Sequence, residues 1–312
     1  MGGLRRRDRV AVTGKGDETS VQVAAAAKVN LALLVGPVRP DGFHEIFSLM
    51  LPVTLADLVT VRATPGVALA VESPVCPGDD NLAAKMVRAL EERLERGFEV
   101  AVTIHKRIPA AAGLAGGSSD AAATLIALER LFALDLPTRL RYEIAAAVGS
   151  DVPFFLWPGP QLAMGRGTVL REVELPEPLH VVIALPEVGL STAAVYRWHD
   201  DDEALDVPAF VDRSQLLVGR LPTLERPRDL AALVENDLES CVVARHPEVG
   251  VLKQALLDAG AFVAAMSGSG SSVFGLFGSS ARAQAALRAV SPARAFYVTD
   301  LQPRSPRRPG AL

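Results

Sequence analysis

The sequence predicts an α+β protein built from two packed domains. Its 312 residues exceed what one ordinary hydrophobic core holds and suit two domains of usual size. Strand-like and helix-like patterns alternate along the chain without a regular βα repeat. Pro176 and Pro178 flank a predicted linker. The predicted organisation is therefore a flexible arm over 1–20, an N-terminal domain over 21–170, a C-terminal domain over 171–302 and a flexible tail over 303–312.

The N-terminal domain begins with a mostly apolar strand and contains two strong helical patterns. Apolar residues at helical spacing predict one helix before Gly97, which is a typical stop signal. The segment 98–105 alternates with a period of two and predicts a half-buried strand. The elements expected here are strands over 21–35, 53–62, 67–71 and 98–105, and helices over 82–96 and 119–134.

The C-terminal domain is predicted to mix strands and helices in a less regular order. Its most distinctive segment is a loop of glycine and serine over 267–272, followed by a strand. The other elements expected are strands over 180–185 and 295–301, and helices over 228–243, 248–259 and 279–290.

Composition argues against several classes of function. The chain carries 36 acidic and 32 basic residues, so it lacks the basic surface that non-specific nucleic-acid binding needs. Cys76 and Cys241 have no metal-type spacing, and neither a disulfide nor a zinc framework is expected. No apolar run has the length of a membrane span, and the start has no signal-peptide core. We expect a cytoplasmic monomer or weak homodimer that binds neither nucleic acid nor membrane.

The glycine-rich segment 109–120, which reads PAAAGLAGGSSD, is the most informative stretch of the chain. It joins a predicted strand to a predicted helix, and its glycines let backbone N–H groups approach a ligand closely. The N-terminus of the following helix has unpaired N–H donors and a partial positive charge, which favour a phosphate. The alternative is a flexible loop in which a serine only caps the helix.

Other nucleotide and hydrolase motifs are absent from the sequence. No GxxxxGK(S/T) segment occurs, and the loop lacks the GxGxxG spacing of dinucleotide-binding folds. The GxSxG turn of α/β-hydrolases is also missing. The loop therefore predicts phosphate binding of a different kind.

Six segments in order resemble the GHMP kinases. They are AAKVNL at 26–31, DGFHE at 41–45, the loop at 109–122, GSDVPFF at 149–155, NDLE at 236–239 and MSGSGSSVF at 266–274. The form of the loop resembles in particular the branch acting on a cytidine diphosphate-linked methylerythritol. Departures include Ala115, where glycine is common, and Phe43, where tyrosine is common.

The resemblance implies a two-domain fold and a kinase activity. The expected fold combines an N-terminal ribosomal-protein-S5-like domain with a C-terminal ferredoxin-like α/β domain. The expected reaction uses ATP and Mg²⁺ to phosphorylate the 2-hydroxyl of the small-molecule substrate. Two alternatives remain: another GHMP kinase, acting on homoserine, mevalonate or a sugar, and a non-catalytic nucleotide-binding relative. The sequence does not identify the metal ligands, although Ser118 or water would serve.

Lys28 and Asp151 are the predicted catalytic pair. Each is a charged group within an otherwise apolar segment, where an unpaired charge is costly. The resemblance implies that Asp151 takes the proton of the substrate hydroxyl. It also implies that Lys28 orients the Asp151 carboxylate and keeps that carboxylate ionised. The alternative for Asp151 is a capping role at a helix or turn. The alternative for Lys28 is an edge-strand lysine whose ammonium reaches solvent. Asp120, in the first turn of a predicted helix, is a rival acid.

The remaining predicted site residues fall into two groups. Asn30 shares the strand face of Lys28, and the resemblance implies that Phe43, His44 and Tyr196 surround the cytosine. The alternatives are a surface turn for His44, amphipathic packing for Tyr196 and a tight loop for the late glycines. The predicted substrate-binding residues are Asn30, Phe43, His44, Thr192, Tyr196, Gly268 and Gly270. The predicted nucleotide-binding residues are Asn81, Lys106, Pro109, Gly113, Leu114, Ala115, Gly116, Gly117, Ser118 and Ser119.

Overall fold

Helices and strands alternate irregularly in the structure, a computed structural model that describes residues 19–66, 68–202, 206–289 and 297–300. The predicted tail and residues 1–18 of the predicted arm lie outside these ranges. The elements up to residue 148 are β1 (Ser20–Val38), β2 (His44–Ala63), β3 (Ala70–Glu72), α1 (Leu82–Leu94), β4 (Val100–His105), α2 (Gly116–Leu131) and α3 (Thr138–Val148).

The second half of the chain has the remaining strands and helices. They are β5 (Gln161–Gly165), β6 (Val169–Glu172), β7 (His180–Ala184), α4 (Thr192–Asp202), α5 (Val207–Arg220), β8 (Glu235–Asn236), α6 (Glu239–Arg245), α7 (Pro247–Asp258), β9 (Val263–Met266), β10 (Val273–Phe277), α8 (Ser280–Ala289) and β11 (Tyr297–Asp300). The predicted α+β class is confirmed by this content.

The chain forms two compact units, each made of separate stretches. Unit 1 comprises residues 1–25, 57–106 and 117–152, and unit 2 comprises residues 26–56, 107–116 and 153–312. The predicted domain boundary near residue 170 and the predicted linker at Pro176 and Pro178 both lie within unit 2.

Unit 1 contains the paired strands β3, β4 and the end of β2, which belong to a seven-stranded sheet, and three helices. The end of β2 pairs antiparallel with β4, with Val59 opposite Ile104, and β3 pairs parallel with β4 on its other side. α1 begins at the Asn81 cap and buries a stripe that includes Met86 and Leu90. α2 buries most of its first three turns, as its small Ala-rich face allows.

Unit 2 contains a four-stranded antiparallel sheet in the order β11-β7-β10-β9. Side chains of α6, α7 and α8 pack on one of its faces in a cluster around Met266, Val273 and Phe277. The other face joins a larger cluster with Leu31, Leu49 and further residues of β1 and β2. The first part of β2 pairs with β5, and the short β8 pairs parallel with β1.

One predicted helix is wrong, and three helices, α3, α4 and α5, were not predicted. The segment 228–243 forms a 3₁₀ helix over Pro227–Leu233, then β8, then α6. Each of the three unpredicted helices buries apolar residues, such as Ile144 in α3, Val195 in α4 and Phe210 in α5. No helix in the described part of the chain combines the length and apolarity that a membrane crossing requires.

Candidate active site

The glycine-rich loop 109–115 in unit 2 leads directly into α2. Gly113 has φ +74°, and a Cβ there would lie 2.0 Å from the Ser267 carbonyl oxygen. Glycine is therefore required at 113 by close packing on another loop as well as by backbone conformation. The Leu114 carbonyl accepts a 3.2 Å hydrogen bond from the Lys28 N–H, which ties the loop to β1.

The glycine and serine loop 267–272 interlocks with this first loop inside unit 2. Ser272 donates from its hydroxyl to the Ala112 carbonyl at 2.5 Å, and the Ser267 hydroxyl donates to the Gly113 carbonyl at 3.1 Å. Gly268 and Gly270 have positive φ values of +57° and +80°. The predicted tight loop is thus present, and its backbone packs against the glycine-rich loop.

Lys28 lies at the junction of the two loops and is only 4% exposed. Its ammonium donates to Oδ1 of Asn30 at 2.5 Å and to the Gly113 carbonyl at 2.9 Å. A Cβ on Gly268 would lie 3.1 Å from the same Nζ, so glycine leaves room for the ammonium. This burial contradicts the alternative of an edge-strand lysine reaching solvent, because snorkelling keeps the charge in water.

Asn30 continues a buried chain of hydrogen bonds from Lys28. Its Nδ2 donates to the Ser48 hydroxyl at 2.8 Å, and Ser48 donates to the Ala32 carbonyl at 2.6 Å. The prediction that Lys28 and Asn30 share a strand face is confirmed by their direct contact. Asn30 is thereby held in one orientation beside the ammonium.

The N-terminus of α2 supplies the groups expected to hold a phosphate. The helix begins at Gly116, three residues earlier than predicted, and has 16 residues. Gly117 is exposed and Ser118 is half-buried, while Ser119 is buried. The first-turn N–H groups and the Ser118 hydroxyl can therefore face an anion at this end.

Lys106 of unit 1 bonds two buried carboxylates. Its ammonium lies 2.5 Å from Oδ2 of Asp57 and 2.7 Å from Oδ2 of Asp120. Burial raises the pKa of Asp120 to about 7, although Lys106 opposes that rise. Burial alone would lower the pKa of Lys106, but Asp120 and Asp57 outweigh it and raise the value.

Two other predicted nucleotide residues have local structural contacts. Asn81 caps α1, with Oδ1 accepting from the Ala83 N–H at 2.9 Å and Nδ2 donating to the Cys76 carbonyl at 2.8 Å. Pro109 is half-buried at the start of the loop. Contact of Asn81, Lys106 and Pro109 with a nucleotide stays a prediction.

The predicted base-binding residues Phe43, His44 and Tyr196 all lie in unit 2, where the His44 and Tyr196 rings are in contact. The DG turn is confirmed: Gly42 has φ +81°, and the Phe43 N–H donates to Oδ1 of Asp41 at 3.2 Å. Phe43 is 49% exposed, and His44 lies with its ring centroid 5.2 Å from that of Tyr196. Farther along, the hydroxyls of Thr192 and Ser269 are 2.9 Å apart.

Asp151 lies in a turn between α3 and a 3₁₀ helix, near the end of unit 1. Its side chain is half-buried. Two carboxylates were missed by the sequence reasoning: Asp57, which bonds Lys106, and Asp200, which faces His44. The available signal for Asp57 was an acidic residue within the alternating segment 53–62, which was predicted to be a strand. Nothing in the local sequence distinguished Asp200.

Family models match both halves of the chain. The model described as GHMP kinases N terminal domain matches residues 81–159, and that described as GHMP kinases C terminal matches residues 214–294. The fold and these two domain models define a small-molecule kinase of the GHMP class. A protein of Gloeobacter violaceus named 4-diphosphocytidyl-2-C-methyl-D-erythritol kinase is 40% identical over 287 residues, covering 91% of this chain and 95% of the relative. The chain belongs to the family of 4-diphosphocytidyl-2-C-methyl-D-erythritol kinases.

Further similarities agree with this family. A Synechococcus protein of the same name is 41% identical, covering 89% of this chain and 93% of its own. A crystal structure of 4-(cytidine 5'-diphospho)-2C-methyl-D-erythritol kinase is 32% identical, with a TM-score of 0.73 and coverage of 90% and 99%. A homoserine kinase of Cytophaga hutchinsonii has a TM-score of 0.74 at 19% identity, with coverage of 93% and 98%, and shows the fold alone.

Family membership confirms the predicted class of activity. The chain is an ATP-dependent small-molecule kinase, and the expected two-domain GHMP fold is confirmed by the two domain models and the similar kinase structure. The domain models at 81–159 and 214–294 lie on opposite sides of residue 170. The residue bounds predicted for the domains stay a prediction.

Proposed function

We propose that this chain transfers the γ-phosphoryl group of ATP to the 2-hydroxyl of 4-diphosphocytidyl-2-C-methyl-D-erythritol. The names of relatives about 40% identical over most of the chain support this substrate. The single structural observation behind the proposal is the buried Lys28 ammonium, held by Gly113 of one loop and next to Gly268 of the other. A fixed cation beside two glycine-rich loops suits a reaction that depends on positioning and charge neutralisation.

In this proposal the nucleotide's phosphates bind at the start of α2. The N–H groups of Gly116, Gly117 and Ser118 face the anion, and the helix dipole favours its charge. The full set of nucleotide residues proposed is Asn81, Lys106, Pro109, Gly113, Leu114, Ala115, Gly116, Gly117, Ser118 and Ser119. Preformed backbone donors stabilise the charge on the transferring group without having to reorganise.

Asp151 is the proposed general base, and Lys28 is the proposed orienting cation. Asp151 accepts the proton of the 2-hydroxyl while that oxygen forms its bond to the γ-phosphorus. The bond from the γ-phosphorus to the bridging oxygen breaks, and ADP leaves with the electron pair. Lys28 steadies the negative charge that develops on the oxygen atoms during this exchange. Asp120 belongs to the buried cluster of Lys106 and Asp57, which gives it a structural role, and we rank it below Asp151 as a base.

In this proposal magnesium arrives bound to ATP. Among the residues that the structure describes, no group of three or more His, Cys, Asp or Glu side chains is placed to hold a metal. Mg²⁺ commonly keeps several waters and binds substrate phosphates with few protein ligands. Ser118 is half-buried at the start of α2. We propose that its hydroxyl approaches the magnesium ion. The ion would neutralise phosphate charge.

The cytidine end of the substrate is assigned to the group around His44. Phe43 and Tyr196 would stack on the base, and His44 would bind its edge. Asn30, Thr192, Gly268 and Gly270 would contact the sugar alcohol and diphosphate. The exposed ring of Phe43 offers a face for stacking, and Arg166 lies 5.3 Å from its centroid. Because Phe43 stands where tyrosine is common, any contact made by the tyrosine hydroxyl would be missing here.

A phosphorylation assay with ATP and Mg²⁺ tests the proposed substrate. The cytidyl substrate should be turned over, while mevalonate and homoserine should be ignored. Turnover of either alternative without turnover of the cytidyl substrate would refute the proposal.

The Asp151→Asn variant tests the proposed base. It should bind ATP nearly normally and lose kcat by about 10²–10⁴-fold, the range expected for a general base. Asp135→Asn is the matched control, because Asp135 is exposed in the same unit. Near-normal kcat for Asp151→Asn would exclude this carboxylate as the base.

Compartment and assembly complete the proposal. We assign the enzyme to the cytoplasm, where ATP is supplied, and to a monomer or weak homodimer. Cell fractionation and light scattering at several protein concentrations would test the two assignments.

A further inference from the structure

The segment around Asn236 is fastened to β1 by its backbone and by a carboxylate. Its strand β8 runs parallel to β1, with Asn236 opposite Leu33, and the Asp237 N–H donates to the Leu33 carbonyl at 3.0 Å. The Asp237 carboxylate accepts a further hydrogen bond from the Val35 N–H at 2.9 Å. β1 is also the strand that carries Lys28. The position of Asn236 is therefore fixed relative to the strand of the buried ammonium.

Two side chains of this segment bond the backbone at the end of β9. β9 is an edge strand of the four-stranded sheet among the described strands, so its outer N–H and C=O groups need partners other than a strand. The Asn236 Nδ2 donates to the Met266 carbonyl at 2.8 Å and to the Gly268 carbonyl at 3.0 Å. The Glu239 carboxylate accepts from the Met266 N–H at 2.8 Å. Three backbone groups at the start of the glycine and serine loop are thus bonded by side chains.

The orientation of the Asn236 amide follows from its three partners. The carbonyls of Met266 and Gly268 only accept, so they require the NH₂ group. The Leu238 N–H only donates, and it bonds the Asn236 Oδ1 at 3.0 Å. An amide meets all three requirements at once. A carboxylate of the same size would keep the bond to Leu238 and lose both donations.

The loop held in this way forms one wall around the Lys28 ammonium. A Cβ on Gly268 would lie 3.1 Å from the Lys28 Nζ, so the Gly268 backbone packs closely on the cation. Ser267, between the two bonded carbonyls, accepts from the Asn30 N–H at 3.3 Å. The Ser267 hydroxyl also donates to the Gly113 carbonyl, which the Lys28 ammonium bonds as well. A shift of this loop would therefore displace the groups that surround the ammonium.

We propose that Asn236 is a positioning residue for phosphoryl transfer, which holds the loop of Gly268 against the Lys28 ammonium. This inference rests on the proposed function, which gives Lys28 its role, and it assigns a task to a residue of the NDLE segment. Asn236 acts through the loop and not by touching the substrate. Because its backbone pairs with β1 while its amide bonds the loop, it sets the distance between the cation and the wall beside it. Small errors in placement are costly for a reaction that depends on positioning.

Removing the two donations should lower turnover more than it weakens ATP binding. In Asn236→Asp the carboxylate faces two carbonyl oxygens and can bond neither, so the loop loses its tie to β8. kcat should fall about 10–100-fold, the scale of a misplacement of about 1 Å. KM for ATP should stay within about threefold, since the proposed phosphate donors lie on α2 and not on this loop. Asn236→Ala removes the same donors without the repulsion of a carboxylate and should show the same split.

Asp237→Asn is the matched control in the same segment. The Asp237 side chain bonds the Val35 N–H and Arg213, and the substitution removes the charge that pairs with Arg213. Its effect should fall on stability, which thermal melting measures for all variants, while kcat stays within about threefold of wild type. Equal losses of kcat in Asn236→Asp and Asp237→Asn at equal Tm would mean that Asn236 acts only through the stability of the fold. That result would overturn the inference, as would a near-normal kcat in both Asn236 variants.

Acetylation of lysines, followed by mass spectrometry, tests the loop contact without turnover. In wild type the buried Lys28 should react far more slowly than the exposed Lys85. In both Asn236 variants Lys28 should react at least about tenfold faster, because the lost hydrogen bonds favour local opening of the loop. Asp237→Asn should leave Lys28 protected, and unchanged protection in folded Asn236 variants would refute the inference. If wild type turned over no cytidyl substrate, the proposed function would fail, and the reactivity of Lys28 would still decide whether Asn236 holds the loop.

Discussion

The Nζ of Lys106 lies 2.7 Å from Oδ2 of Asp120 and bonds Asp57 at the same time. One ammonium therefore serves two carboxylates, each almost fully buried. Oδ1 of Asp120 has no hydrogen-bond partner among the described residues, which leaves a position for a proton. Lys106, the residue after β4, is thus joined to β2 through Asp57 and to α2 through Asp120. Two carboxylates face one ammonium, so the cluster has an excess of acidic groups.

Asp120 should make stability depend on pH. Its pKa is about 7 in the fold and near 3.8 when unfolded, so the folded state binds more protons between these values. Its contribution to the free energy of unfolding is therefore fully present below about pH 4 and is lost as the pH rises through about 7. The loss is on the order of a few kcal/mol, since one pKa unit corresponds to about 1.4 kcal/mol.

Urea unfolding of wild type and Asp120→Asn at pH 4, 5.5 and 8 measures this effect. The free energy of unfolding of wild type should fall relative to that of the variant as the pH rises. The exposed Asp135→Asn should follow the wild-type profile. Parallel profiles for wild type and Asp120→Asn would contradict the prediction.

Replacing Lys28 should affect both stability and turnover. Lys28→Met leaves the Asn30 Oδ1 and the Gly113 carbonyl without this donor, at a cost of about 1–3 kcal/mol. It also removes the cation proposed to orient Asp151 and to steady the developing negative charge, so kcat should fall at least about 100-fold. Steady-state kinetics and urea unfolding are the measurements. Lys85→Met, at an exposed position on α1, is the control, and a near-normal kcat for Lys28→Met would count against the assigned role.

Adding one methyl group at Gly113 should disrupt the interlocked loops. The new Cβ would meet the Ser267 carbonyl oxygen at 2.0 Å, and backbone atoms cannot move aside cheaply. Gly66 has a similar φ of +80° with open space around it, so Gly66→Ala isolates the backbone strain. Gly66→Ala should cost about 1 kcal/mol. Gly113→Ala should cost clearly more and reduce kcat, and equal unfolding energies for the two variants would show that the clash is relieved.

Ala115 should be a position where glycine stabilises the protein. It has φ +56° at the start of α2, a conformation that L-residues with a Cβ adopt only at a cost. Ala115→Gly should therefore raise the free energy of unfolding by up to about 1 kcal/mol, observable as a higher Tm. Ala285→Gly, at an exposed position inside α8, should lower it by about 1 kcal/mol. A lower Tm for Ala115→Gly would mean that the strain is compensated elsewhere.

Local patterns in the sequence predicted the parts of the site that local chemistry determines. The tight loops at Gly113 and Gly268 and the shared strand face of Lys28 and Asn30 follow from backbone geometry. Contacts between distant residues have no such signal. His44 and Asp200 are 156 positions apart, and the sequence says nothing of their meeting.

The wrong helix prediction has a physical reason in tertiary contacts. Asn236 donates from Nδ2 to the carbonyls of Met266 and Gly268, and Glu235–Asn236 pair with β1, so the chain is extended where the pattern suggested a helix. In α5, Val207, Val211 and Leu216 are exposed, while Phe210 and Leu217 form the buried face of the helix.

The composition of the two units has a consequence for how such a protein can change over evolution. Each unit is assembled from three separated stretches of the chain, and the short stretch 107–116 lies between two stretches of unit 1. A single crossover between two related genes can therefore never exchange one complete unit for its counterpart. Chimaeras joined at one point will always carry mixed parentage within at least one core, and their foldability will depend on whether the parental side chains match there.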